Sequence, residues 1–204
     1  MPSSWARPIP RPPDAAGRVN DSTAQPAVIE AGGGDALWFL GTFVRVKLDG
    51  ERTDGRFGLF ESLLPHGAAP PLHSHPQDES FYIVDGVVTV WLVESELAAV
   101  DEADPPRWVA ERACPCSAGA VVYAPAGMPH TFRVESDTAR VLTLSTPAGI
   151  ERFARALSEP ARWPWLQPPP DGPRVDPEKM GTVMARFGMV VHGPPPPPPG
   201  PPPA

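Results

Sequence analysis

The stretch Pro71 to Gly86, PLHSHPQDESFYIVDG, places two histidines and a glutamate within seven residues and then runs into hydrophobic strand material. In an extended strand, residues i and i+2 share a face, so His73 and His75 can present two imidazoles side by side. Glu79, at even spacing from both, can share that face if the strand continues through Pro76 with little distortion. Read alone, the three side chains are either ligands of a metal or polar groups on a surface loop. A third nitrogen ligand has to come from elsewhere, and His130, just after Pro125-Ala-Gly-Met-Pro129, is the other histidine inside the strand-rich region. His66 reads as a loop residue or a donor behind the ligands, and His192, beside the proline tail, as solvated.

Working outward, the chain punctuates like an antiparallel β protein. Ala36 to Leu48 is strand material closed by the turn Asp49-Gly50, and Arg56 to Leu64 answers it. Glu79–Val84, Val87–Val93, Ala120–Ala124, Thr131–Glu135 and Arg140–Ser145 follow, broken by Gly, Pro and Asp. Seven or eight short strands in this order predict a sandwich or barrel and argue against a βαβ sheet. Two helices are expected afterwards. Ile150, Phe153, Ala154 and Leu157 repeat at helical spacing behind a Thr146-Pro147 start. Met180, Val183, Met184 and Phe187 form a second stripe between Asp176-Pro177 and Gly188. These stripes are expected to pack on the outside of the barrel or across a subunit boundary.

Composition bounds the class. The 204 residues are 41% hydrophobic and 20% charged, enough for one domain with a core, and the 32 prolines cluster toward the ends. Residues 1 to 30 read as an extended or disordered arm, 31–148 as the barrel, 149–192 as a helical extension, and 193–204 as a solvated polyproline II tail. A net charge of −7 argues against a nucleic-acid partner, whose phosphates need a positive surface. No apolar run has the length of a signal peptide or a membrane span, so a soluble cytoplasmic protein is expected. Cys114 and Cys116 are too few for a disulfide framework and read as reduced, inert thiols on a loop.

The spacing then becomes specific. Gly67, His73, His75, Glu79 and Gly86 fill the pattern G-x5-H-x-H-x3-E-x6-G, and Gly119, Pro125, Gly127 and His130 fill G-x5-P-x-G-x2-H. These resemble the two motifs of the cupin superfamily, departing only where Val134 stands in place of a frequent Asn. The resemblance covers about residues 36 to 146. It implies an all-β fold, a double-stranded β-helix (jelly-roll) barrel with C-terminal α-helices, and one divalent transition metal (Fe, Mn, Ni, Co, Cu or Zn) held by His73, His75, Glu79 and His130. Three neutral imidazoles and one carboxylate leave such an ion a net charge near +1 with open positions, where a closed structural site would be saturated. The 32 residues from 87 to 118 between the motifs exceed a minimal cupin, and the surplus, Glu94 to Pro106, is an acidic excursion expected at the rim.

A broader resemblance takes in Gly33 to Gly41 and Arg186-Phe-Gly-Met-Val-Val-His-Gly-Pro, which are similar to phrases in actinobacterial single-domain cupins of the quercetin 2,3-dioxygenase type. It implies a small aromatic substrate, a flavonol or related enol, with dioxygen as co-substrate. Glu79 would accept the substrate's hydroxyl proton and so serve as general base as well as ligand. A planar aromatic wants an apolar slot. Parity with Glu79 turns Phe81 and Ile83 inward, and parity with His130 does the same for Phe132 and Val134, with Arg133 outward. Phe81, Ile83 and Phe132 are thus the first lining residues expected, then Trp38, Phe60 and Tyr123, although aromatics inside a small barrel also serve simply as core. The rival readings are a non-oxidative isomerase, cyclase or lyase, and a metabolite-binding module without catalysis. The apolar helices offer a surface for a homodimer, and a monomer is equally compatible.

Overall fold

The structure, a computed structural model, describes residues 23–94, 108–161 and 176–198. Most of the expected N-terminal arm, residues 95–106 of the acidic excursion, residues 162–175 between the two expected helices and the last six residues of the polyproline tail lie outside the described residues.

Two antiparallel sheets face each other. Their strands are β1 (Asp35–Phe39), β2 (Thr42–Leu48), β3 (Gly58–Pro65), β4 (Leu72–Ser74), β5 (Asp78–Asp85), β6 (Val87–Leu92), β7 (Ala113–Ser117), β8 (Val121–Ala124), β9 (His130–Val134), β10 (Thr138–Thr146), β11 (Ser158–Pro160) and β12 (Val190–Gly193). The helices are α1 (Trp108–Glu111), α2 (Ile150–Ala156) and α3 (Pro177–Phe187). One sheet runs β11-β1-β2-β3-β10-β5-β8 and the other β12-β4-β9-β6-β7. This is the all-β jelly roll that the two motifs imply.

Period-two burial drives the closure. In β3, Gly58, Phe60, Ser62 and Leu64 are buried while their neighbours are half-buried, so one face of the strand meets the opposite sheet. Phe81 and Ile83 of β5 meet Val88 and Val90 of β6 in the central cluster, with Val134 and Val141 beside them. Burying a side chain of this kind stabilises by about 1.5–3 kcal/mol, which is why a one-residue slip of register would be costly. A second cluster gathers Leu72, Trp91, Val93 and Trp108 at one end of the second sheet, where Trp91 Nε1 donates to the Val109 carbonyl at 2.8 Å.

Several expectations need correction. Ala36 to Leu48 is a hairpin instead of one strand, because Leu40 (φ 47°) and Gly41 (φ 84°) both take left-handed backbone, as a two-residue primed turn requires. After Leu48 the chain does not turn tightly at Asp49-Gly50; it makes a longer loop in which Thr53 N bonds Asp49 O and Gly55 N bonds Gly50 O. The first helix does not start at Thr146-Pro147. Thr146 belongs to β10, where its Oγ1 donates to Arg56 O at 2.9 Å, and the helix begins after Gly149, whose N–H is taken by the buried Glu151 carboxylate at 2.7 Å. The cysteines lie on strand β7, not on a loop, with Cys114 exposed and Cys116 buried, both free. Burial raises the Cys116 thiol pKa, and the neighbouring Cys114 adds to it.

The second helix matches its signals. Asp176 accepts from Glu178 N at 3.1 Å as the N-cap, and Gly188 (φ 68°) ends the helix in left-handed backbone. Its apolar stripe, expected on the barrel's outside or across a subunit boundary, divides: Phe187 packs on Phe153 of α2 at 5.9 Å, whereas Met180 and Met184 line the cavity. The chain beyond residue 148 also adds a strand to each sheet, β11 beside β1 and β12 beside β4. Among the described residues, no helix is long and apolar enough to cross a membrane.

Candidate metal centre and its cavity

His73 and His130 face each other across the pairing of β4 with β9, and their rings lie 4.6 Å apart. The His75 ring is 5.0 Å from His130 and 5.9 Å from His73. One ring nitrogen from each of the three lies within 4.8 Å of the others, a cluster that could hold a metal ion. Glu79, on β5 of the other sheet, reaches across so that one carboxylate oxygen, Oε2, is 3.0 Å from His75 Nε2 and 3.1 Å from His130 Nε2. Pro76 does not let one strand run from His73 to Glu79. β4 ends at Ser74, β5 begins at Asp78, and it is the bend between them that brings both sheets to one point.

His130 is delivered by a turn. Met128 N bonds Pro125 O at 3.0 Å, and Gly127 takes φ 78° at the third turn position, where a side chain would be disfavoured. Gly127 N then donates to His75 O at 2.8 Å and Ala126 N to Asp78 Oδ1 at 2.8 Å, so the second motif is bolted to the first.

The donor chemistry fits a cation. Each imidazole has Nδ1 against a backbone carbonyl: His73 with Pro71 O at 2.8 Å, His75 with Gln77 O at 3.0 Å, His130 with Met128 O at 2.8 Å. A carbonyl only accepts, so Nδ1 carries the proton in all three, and in the neutral ring the Nε2 lone pair is left free. Two such lone pairs beside the buried Glu79 carboxylate would repel it, so either protons or a metal cation must sit between them. Burial works to raise the Glu79 pKa, but the hydrogen bonds from His130 and His75 outweigh it and hold the carboxyl down at about 2. Burial, followed by the charge of His130, lowers His73 to about 4. Burial would lower His130 too, yet the Glu79 carboxylate reverses the sign and raises it.

Next to this cluster lies a cavity of about 660 Å³ between the sheets, on whose wall the three histidines and Glu79 stand. Phe60, Phe81, Ile83 and Phe132 line it, with the Phe81 and Phe132 rings 6.3 Å apart in an edge arrangement. Trp38 and Tyr123 do not line it, correcting their expected place. Trp38 points away from the cavity and packs edge-on to Phe43 at 5.9 Å, while its neighbour Phe39 turns to the cavity. Tyr123 lies on the outward parity of β8, between buried Val122 and Ala124, and is 54% exposed. Val134 is fully buried in the central cluster, and Arg133 turns outward to Glu135 at 2.8 Å.

Other lining residues were missed. Ser62 and Thr143 are buried polar groups on the wall, and Ser62 was readable by parity with Phe60 on β3. Met180, Met184, Met189 and Val191 come from the C-terminal segment and carried no signal for this position. His66 lines the mouth, and its Nδ1 is 3.2 Å from Ser136 O, which leaves it away from the ligand cluster. His192 was expected to be solvated. It is partly buried, and its Nε2 lies 2.8 Å from Ser74 Oγ because β12 pairs with β4.

No family model matches the chain. The curated protein quercetin 2,3-dioxygenase of Bacillus subtilis (strain 168) is 28% identical over 138 residues, 67% of this chain and 36% of that protein, so the match spans about a third of the relative's length. Among solved structures, an RmlC-like cupin from Shewanella frigidimarina is similar with a TM-score of 0.46 and 14% identity, over 63% of this chain and 97% of that one. KdgF from Halomonas sp. is similar with a TM-score of 0.44 and 16% identity over 57% and 91% of the two chains. The two motifs at full spacing, the jelly roll that carries them, and the likeness to the curated relative together support this chain as a member of the cupin superfamily.

Proposed function

We propose that the protein is a metal-dependent dioxygenase acting on a flavonol-like or other enolic aromatic substrate. The observation that carries the reading is the convergence of one ring nitrogen from each of three imidazoles, with the buried Glu79 carboxylate against two of them, on the wall of a largely apolar cavity. The likeness to quercetin 2,3-dioxygenase supports the choice of substrate class.

His73, His75, His130 and Glu79 are the residues that would hold one divalent transition metal, which when bound would acidify the substrate hydroxyl and supply the electronic route to dioxygen. The carbonyls of Pro71, Gln77 and Met128 hold the three imidazoles in the tautomer that keeps Nε2 available. Glu79 takes the enol proton on a carboxylate oxygen. Its basicity depends on what the imidazoles do. Nε2 atoms that donate to Glu79 depress it, and turning them to a metal removes those hydrogen bonds and leaves burial to raise it against the ion's charge. Phe81 and Phe132 offer ring edges and faces to a planar ligand and keep water from its reacting carbons. Ser62 and Thr143 supply the few hydroxyls that can orient a carbonyl or hydroxyl.

The test is to strip the protein of metal and reload it separately with Fe(II), Mn(II), Co(II), Ni(II), Cu(II) and Zn(II). Oxygen uptake with quercetin is then followed, and uptake with at least one metal is expected. No uptake with any of them, at confirmed metal occupancy, overturns the dioxygenase reading in favour of non-oxidative chemistry or simple binding.

A further inference from the structure

Three of the chain's five methionines, Met180, Met184 and Met189, line the cavity, and all three lie beyond the barrel's last motif. The segment that carries them is tied to the strand of the histidines. β12 pairs with β4 so that Val190 stands opposite Ser74 and Val191 opposite His73. His192 Nε2 to Ser74 Oγ at 2.8 Å and Leu72 N to Pro194 O at 3.4 Å hold the same edge. At Gly188 the chain reverses in left-handed backbone against the Pro76 ring, and Met189 N bonds Met184 O at 3.0 Å.

Helix α3, by contrast, is lightly packed. None of its residues is buried, and its aromatic contact with the barrel side is Phe187 against Phe153 of α2 at 5.9 Å. An amphipathic helix normally buries its apolar stripe against the core. Here the stripe's two methionines line a cavity, where a bound molecule would add to their contacts. The opposite walls are stiff: Phe81 and Ile83 are buried on β5, and their strand is paired on both sides. Methionine is unbranched and polarizable, fits irregular outlines, and makes favourable contacts with aromatic rings through sulfur.

We propose that Met180, Met184 and Met189 form the specificity-determining wall of the cavity, an adaptable surface that touches the bound aromatic ligand and selects its outline. The proposal takes the cavity as the ligand site of the function proposed above, but not that the reaction consumes dioxygen. It also makes β12 the frame that fixes this wall relative to His73, since the two share neighbouring strands.

Methionine methyl groups give the test. Full-length protein is labelled with [methyl-13C]methionine and loaded with Zn(II), or used as purified should no metal bind. It is titrated without oxygen with quercetin and, separately, with 8-anilinonaphthalene-1-sulfonate, while tryptophan quenching reports binding. Single Met→Leu variants assign the signals. The Met180, Met184 and Met189 methyls are expected to shift with occupancy, and Met128, which does not line the cavity, to move less. Binding by either probe with the three signals unmoved overturns the proposal, and so does the failure of both probes to bind. Shifts with the naphthalene probe but no quercetin binding keep the methionine wall and remove the flavonol reading. Met180→Ala and Met184→Ala are expected to change the ratio of the two dissociation constants by about fivefold or more with metal content unaltered. An unchanged ratio in both variants overturns the selective role.

Discussion

Glu79 Oε2 sits 3.1 Å from Nε2 of His130, a residue 51 positions away and on the opposite sheet. The two are buried, and each shifts the other in the direction that favours a charged pair: the carboxyl is held at about 2 and the imidazole is raised. In a metal-loaded site the same two atoms would be ligands, so a metal ion and the proton shared by this pair would compete for one place.

A proton that must leave makes metal affinity depend on pH. The Glu79 carboxylate raises His130, so it keeps its proton to a higher pH than a free imidazole does, whereas burial and the charge of His130 lower His73 to about 4. Below the raised His130 pKa, metal uptake therefore displaces at least one proton, and the apparent affinity falls about tenfold per pH unit there, more steeply as pH nears about 4. Calorimetric titration with Zn(II) in buffers of different ionisation enthalpy measures the proton count. Release of none contradicts the assignment.

Removing one imidazole should be worse than disturbing its support. His75→Ala is expected to weaken metal binding by more than the roughly 10–100-fold typical of losing an outer partner of a ligand. Metal content after dialysis reads this directly, and wild-type stoichiometry in the variant refutes His75 as a ligand.

Glu79→Gln keeps size and one oxygen but removes the charge and the base. Turnover is expected to drop on the order of 10²–10⁴-fold at matched metal occupancy, the span of a lost general base. Equal kcat in variant and wild type removes Glu79 from proton transfer.

Two motif glycines should differ in cost although both have positive φ. At Gly86 (φ 86°) an added Cβ would stand 2.4 Å from Thr138 O, a backbone atom, whereas at Gly127 (φ 78°) it would meet nothing within 4 Å. Gly127→Ala is expected to lose about 1–2 kcal/mol for its backbone conformation. Gly86→Ala adds a clash to a similar strain and should lose clearly more, by roughly several degrees in Tm for a chain of this size. Thermal unfolding followed by circular dichroism compares them, and equal midpoints would refute the clash.

Much of the site is written in short-range pattern. His73, His75 and Glu79 lie within one stretch, the glycines bound it, and His130 follows a turn whose Pro125 and Gly127 specify its geometry locally. Period-two alternation likewise places Phe60, Phe81, Ile83 and Phe132 on inward faces. The same alternation, applied to strand β8, puts Tyr123 outside, and the choice of an aromatic by type instead of by parity led to the wrong face.

The sequence by itself determined an antiparallel sandwich or barrel and the boundaries of α3, because strand alternation, turn residues and helix caps act over a few positions, while the jelly roll and the four candidate ligands were legible through the two cupin-like motifs. Only the tertiary structure decided where the C-terminal segment goes. Nothing local marks Val190–Gly193 as a partner for Leu72–Ser74, so the pairing that sets His192 beside Ser74 and turns Met180, Met184 and Met189 into the cavity was invisible. An apolar stripe announces that it will be covered. What covers it depends on the whole arrangement of sheets, since burial of apolar surface has no direction of its own.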